Sequence, residues 1–156
     1  MLCICLIKTP LDAVGHNQIS IIDMIGREVK INLPVERIIS ITPSNTEILF
    51  ALGLNEKIVG VTEACDYPYS ATLKPKIGQV EMNIEKILTL DPDLVVAVAS
   101  MQLPIIETLS DLGVPVVALD PKNLQDVLNS ISLLGKATGT EENAKILIKS
   151  LTSELQ

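Results

Sequence analysis

Apolar positions along the chain follow two alternating patterns. Short, largely apolar runs at 38–41, 57–62, 94–99 and 114–119 are separated by stretches in which apolar residues recur at spacings of three and four. Continuous apolar runs predict strands buried on both faces, and the three-four spacing predicts amphipathic helices between them. The expected class is therefore α/β, a mostly parallel sheet with helices on both faces. Residues 37–62 compress one βαβ unit. Pro43 ends its first strand, Ser44 is placed to cap a helix, and Glu47, three residues on, can reach back in a capping box. Ile48, Leu49 and Leu52 form the apolar face of that helix, and Gly53 suits the left-handed position that closes it. A right-handed crossover leaves Thr42, Ser44 and Asn45 at the carboxyl edge of the sheet, where α/β folds hold ligands. Ser44 and Glu47 thus read either as a helix cap alone or as part of a ligand edge.

The remaining elements follow from the same patterns. Residues 19–23 and 28–32 flank a glycine-containing turn and predict a hairpin leading into the sheet. Residues 63–80 form a long irregular stretch, a length often associated with function. Asn83 caps a short helix with Ile84, Ile87 and Leu88 inward, which Asp91-Pro92 breaks. Pro104 opens a helix bearing Ile105, Ile106, Leu109 and Leu112, closed by Gly113. A longer helix from Asn123 carries Leu124, Val127, Leu128, Ile131 and Leu134 on one face, and Thr140 caps the last helix. On that helix Ala144, Leu147, Ile148, Leu151 and Leu155 share one side, with Ile146 opposite.

Composition narrows the function classes. The chain has 156 residues, 19 acidic against 12 basic, and a net charge of -7, a field that repels nucleic acid and anionic membrane. No apolar run approaches the roughly 18 residues that a membrane helix needs. Aromatics are limited to Phe50, Tyr67 and Tyr69, so the core must be aliphatic. Cys3, Cys5 and Cys65 form no disulfide framework. The opening MLCICLI lacks a basic n-region and a cleavage site, and reads as a leader remnant, an edge strand or a loose start.

Catalytic signatures are missing. There is no glycine-rich dinucleotide or phosphate loop, no G-x-S-x-G and no C-x-x-C, so no catalytic residue is assigned. His16 stands alone in a polar stretch and reads as solvated. Glu63, Cys65 and Asp66 supply too few ligands of matched softness for a metal site, and no metal or cofactor is expected.

Five segments in order carry a resemblance: Asp23-Met24-Ile25-Gly26-Arg27-Glu28-Val29, Pro43-Ser44-Asn45-Thr46-Glu47, Asp66-Tyr67-Pro68, Asn83-Ile84-Glu85-Lys86-Ile87 and Asp91-Pro92-Asp93-Leu94-Val95. With these, the chain from about Ile19 onward resembles the N-terminal lobe of the substrate-binding proteins that serve cobalamin, ferric-siderophore and haem ABC importers. The resemblance implies a Rossmann-like lobe, one of two that are joined by a long helix and clamp a ligand between them. It implies a ligand face of Ser44, Asn45, Glu63, Ala64, Cys65, Tyr67, Gln79, Ser100 and Met101, the last two at a strand end. Tyr67 reads either as a ligand contact or as packing for its loop. Gln79 stands where some cobalamin binders of the family place an aromatic. Glu85 matches an exposed glutamate that docks on permease arginines, and equally complements a helix dipole.

The implied organisation is an N-terminal segment at 1–18, the α/β lobe at 19–140, and the start of an interlobe helix at 141–156. A second lobe and a complete export signal are missing from the sequence, which reads as a truncated gene product or an expressed fragment of an extracytoplasmic protein. The implied partners are an ABC permease and a corrinoid, haem or ferric siderophore. The ligand loops contain no arginine, which favours a neutral ligand such as a corrinoid. The competing reading is a stand-alone, non-catalytic interaction module that homodimerises through its last helix or open ligand face.

Overall fold

The computed structural model describes residues 17–79 and 81–154. His16, Cys3, Cys5, the apolar opening and Leu155 lie outside them. The elements are β1 (Asn17–Ile22), β2 (Glu28–Leu33), β3 (Ile38–Ser40), α1 (Pro43–Ala51), β4 (Ile58–Val61), α2 (Tyr69–Thr72), α3 (Ile84–Thr89), β5 (Leu94–Val98), α4 (Ala99–Asp111), β6 (Val116–Leu119), α5 (Leu124–Thr138) and α6 (Glu141–Glu154). Strands β3 to β6 form one parallel sheet in the order β4-β3-β5-β6. The α/β expectation holds.

Alternation along the central strands divides the core into two layers. Ile38, Leu94, Val96, Val117 and Leu119 face a layer shared with Leu49 of α1, Leu128 and Leu134 of α5 and Ala144 of α6. Ile39, Val95, Ala97, Val116 and Ala118 face the other, against Ile87 of α3 and Ile106 and Leu109 of α4. Every residue of β3, β5 and β6 is buried, which is why these strands read as unbroken apolar runs.

Both edges of the sheet are covered. On β4, Val61 N donates to Pro75 O at 3.0 Å and Ile77 N donates to Val61 O at 3.0 Å, so residues 75–77 pair along the strand. On β6, Met24 N donates to Ala118 O at 3.1 Å and Ala118 N donates to Asp23 Oδ2 at 3.3 Å. The expected hairpin is present, as a separate two-stranded antiparallel sheet whose turn closes the β6 edge. Asp23 is 5% exposed and holds that turn, accepting from the Ile25 and Arg27 amides and from Arg27 Nε and Nη2. Arg27 continues to Val116 O and Ser110 Oγ, tying the hairpin to the sheet.

Several local expectations need correction. Helix α1 begins at Pro43 with Thr42 as its N-cap in an extended conformation, and no side chain caps it. Ser44 therefore sits in the first turn, and the capping box with Glu47 does not form. The residue before a proline is held out of the helical region, and proline itself suits the first helical position, so the boundary moves back one residue or two. The irregular stretch after β4 contains α2. Residues 17 and 18, assigned to the N-terminal segment, belong to β1. Strand β5 ends at Val98, one residue earlier than expected, and Ser100 and Met101, expected at the strand end, lie in the helical turn that follows it. Strand β6 starts at Val116, two residues later than expected, after the Pro115 constraint is passed. Leu88 and Leu124 point outward, with Leu90 taking the inward position near α3. Asn83 and Asn123 do cap their helices, accepting from Lys86 N and Asp126 N.

Helix α6 packs on the domain as its spacing predicts. Ala144 is buried, Leu147, Ile148 and Leu151 rest against the core, and Ile146 is exposed. The contact needs a glycine opposite it: a Cβ on Gly135 would stand 2.6 Å from Ala144 Cβ. Gly→Ala inside a helix ordinarily stabilises by about 0.5–1 kcal/mol, but here the added methyl has no room. Gly135→Ala is expected to lower the melting temperature, at a net cost of about 1–2 kcal/mol. A raised melting temperature by circular dichroism would show that α6 does not seat on Gly135.

Candidate ligand-binding site

The order β4-β3-β5-β6 makes a topological switch point between β3 and β5. The chain leaving β3 crosses through α1 to β4 on one side, and the chain leaving β5 crosses through α4 to β6 on the other. Connections that diverge in this way open a crevice beyond the carboxyl ends of the strands. Here the crevice is flanked by the first turn of α1 and by the helical turn Ala99 to Met101. It continues into a cleft of about 430 Å³ lined by Gln79, Met82, Met101, Gln102, Pro104 and Ile105. Among the described residues, no charged side chain lines it.

A buried polar network underlies this edge. Thr46 Oγ1 donates to Ser40 Oγ at 2.8 Å and lies 3.2 Å from Cys65 Sγ, which is also 3.2 Å from Thr62 Oγ1. It links the end of β3, helix α1 and the 63–67 loop. Lys76 fixes the same loop from its far side, with Nζ donating to the carbonyls of Thr62, Cys65 and Ala71 at 3.3, 3.1 and 3.3 Å. The ammonium is thus spent on backbone oxygens rather than offered to the cleft. Exposed Glu63 and Asp66 stand on the loop itself.

The residues expected at the ligand face separate into three groups. Gln79 and Met101 share the cleft. Ser44, Glu63, Tyr67 and Ser100 are exposed at the carboxyl edge, Tyr67 to 67%, with Ala64 half-buried beside them. Asn45 and Cys65 are turned into the body, at 2% and 1% exposure, so their side chains support the edge from below. Glu85 is exposed in the first turn of α3, apart from the cleft. Sequence reasoning passed over Met82, Gln102, Pro104 and Ile105. Pro104 and Ile105 were read only as helix start and core, and Gln102 carries no local signal at all. Among the described residues, no three His, Cys, Asp or Glu side chains cluster to hold a metal ion, and no helix is long and apolar enough to cross a membrane.

Residues 38–156 match the periplasmic binding protein family. The chain belongs to that family. A substrate-binding lipoprotein of an ABC transporter from Bacillus subtilis, YvrC, is 38% identical over 142 residues, which cover 88% of this chain and 45% of that protein. The structure of the vitamin B12 binding protein BtuF of Vibrio cholerae superposes with a TM-score of 0.73 at 34% identity, over 79% of this chain and 49% of that one. A periplasmic haem-binding protein from Pseudomonas aeruginosa superposes at 0.72 with 26% identity, over 78% and 44%. The chain spans about half the length of the relatives it matches.

Two polar atoms at the crevice have no hydrogen-bond partner among the described residues, Thr42 Oγ1 and Asn45 Nδ2. Thr42 is 5% exposed, so its orphaned hydroxyl carries a desolvation cost. Thr42→Val removes that hydroxyl at nearly constant shape. Stability by chemical denaturation is expected to rise or to stay within about 0.5 kcal/mol. A loss above about 1 kcal/mol would mean that the hydroxyl is bonded in solution.

Proposed function

We propose that this chain is the ligand-binding lobe of an extracytoplasmic substrate-binding protein of an ABC importer, and that its ligand is neutral or weakly charged, of the corrinoid type. The observation that carries the ligand class is the uncharged lining of the cleft. An anionic haem or carboxylate siderophore calls for arginine or lysine beside it, and the one lysine tied to the ligand loop already serves three carbonyls. The loop adds only Glu63 and Asp66, which repel an anion. Thioether, amide and aliphatic groups suit a large ligand with an apolar body and amide rims. The likeness to the Vibrio cholerae protein supports the same choice.

Tyr67, Ser44, Glu63, Ala64 and Ser100 would border the ligand, with Gln79 and Met101 beneath it. Residues 19–140 would form the lobe and α6 the start of an interlobe helix. No catalytic role is proposed. A single open face covers one side of a large ligand, so binding by this chain is expected to be selective and weak. Calorimetry with cyanocobalamin, haemin and a ferric carboxylate siderophore tests the reading. Heat is expected with cyanocobalamin first, and tighter binding of the anionic siderophore would overturn the ligand assignment.

The exposed Glu85 is proposed as a contact to the permease. Glu85→Lys is expected to weaken association with permease-containing vesicles, while stability changes by less than about 0.5 kcal/mol as for other exposed positions. Unchanged association would leave Glu85 with its helix-dipole role alone.

A further inference from the structure

The ladder between β3 and β5 ends in an unusual way. In a parallel pair, one residue bonds to the residues before and after its partner on the neighbouring strand. Ser40 pairs with Val96, so Ile41 comes opposite Ala97, and Ile41 N accordingly donates to Val96 O at 3.0 Å. The next rung would be Val98 N donating to Ile41 O. Instead Val98 N donates to Gln102 Oε1 at 3.0 Å, and Gln102 Nε2 donates to Ile41 O. The carboxamide takes up both halves of the missing rung. The carboxamide of glutamine carries an acceptor and a donor on one planar group, as a peptide does.

The backbone is bent to make this possible. Gln102 has φ -136° and ψ 20° inside α4, which interrupts the helix between the turn Ala99 to Met101 and the segment that runs on to Asp111. Its side chain returns under that first turn to the strand ends. Pro104 supports the interruption, because it has no N–H to donate back across the break to the preceding turn, and its fixed φ suits the first turn of the helical segment that follows Gln102. The same glutamine lines the cleft. It therefore stands at the switch point, between two strands that would otherwise be bonded directly.

We propose that Gln102 is a positioning residue whose carboxamide replaces one rung of the β3–β5 ladder and so sets the width of the crevice at the carboxyl edge of the sheet. Strands joined through an inserted amide stand further apart than strands joined by one hydrogen bond. The crevice beyond Ile41 and Val98 is held open by the protein itself before any ligand arrives. That this crevice is the ligand crevice rests on the function proposed above; the wedge does not.

Crystal structures of ligand-free Gln102→Ala and Gln102→Met test the wedge, with cyanocobalamin titration of both variants and the parent chain. In each variant Val98 N is expected to come within about 3 Å of Ile41 O, closing the rung. A direct rung compensates the lost bonds, so the melting temperature should change little while cyanocobalamin affinity falls about tenfold, the cost of misplacing a polar contact. A side chain that merely stabilised the helix would lower the melting temperature and leave the crevice unchanged. Gln102→Met keeps the volume, so it reports on the bridge even where Gln102→Ala fails to fold. Strand ends that stay apart in the variants overturn the proposal, as does a closed rung with unchanged affinity. If the parent chain binds no cyanocobalamin, the ligand assignment fails, and the variant structures still decide the wedge.

Discussion

Burial of β3, β5 and β6 on both faces governs the rest of the molecule. A strand with no solvent face has no place for a polar side chain unless its partner is built in. Ser40 is the one polar residue within these strands, and it is held by Thr46 and by the Thr42 carbonyl. Other polar chemistry is displaced to where the strands stop. At the amino ends, Asp93 accepts the amides of Glu36 and Arg37 at 2.8 Å each, and Arg37 reaches back to Leu90 O. At the carboxyl ends stand Thr42, Asn45, Gln102 and the 63–67 loop. The polar carboxyl edge follows from the sheet's dryness.

A parallel sheet of only four strands has two vulnerable edges in proportion to its size. Each is closed by a segment that is not one of the sheet's own strands. Residues 75–77 lie along β4, and the Asp23 turn lies along β6. Both closures are fastened by a cation that reaches several acceptors, Lys76 on one side and Arg27 on the other. On the β4 side the fastening also shapes the site, since Lys76 gathers the carbonyls of the loop that presents Tyr67. Stability of the edge and geometry of the proposed ligand face are thus one arrangement.

Much of this architecture could be read from periodicity. The apolar runs located four strands to within a residue or two, Asn83 and Asn123 announced their helices, and the three-four spacing of α6 predicted the face that packs. Local misreadings came from short-range competition. Ser44 satisfied the pattern of a cap, but Pro43 already fixed the helix start, so the capping position fell on Thr42. Leu88 and Leu124 fit an apolar stripe, yet they sit near helix ends and are exposed. The ordered family segments were likewise visible in the chain, and they named the edge at which a ligand would lie.

By itself the sequence determined the fold class, the strand and helix sites, and the clustering of polar residues after β3 and β4, because these depend on local spacing and on which residues tolerate burial. It did not distinguish Tyr67, which faces solvent, from Cys65, which is buried two residues away, because the direction of a loop side chain depends on what the loop packs against. Nor did it point to Gln102. Its two partners lie 4 and 61 positions away in the chain, and only the juxtaposition of β3 and β5 turns an ordinary helix glutamine into part of a sheet. Hydrogen bonds between strand ends are set by register across the fold, which no local pattern encodes.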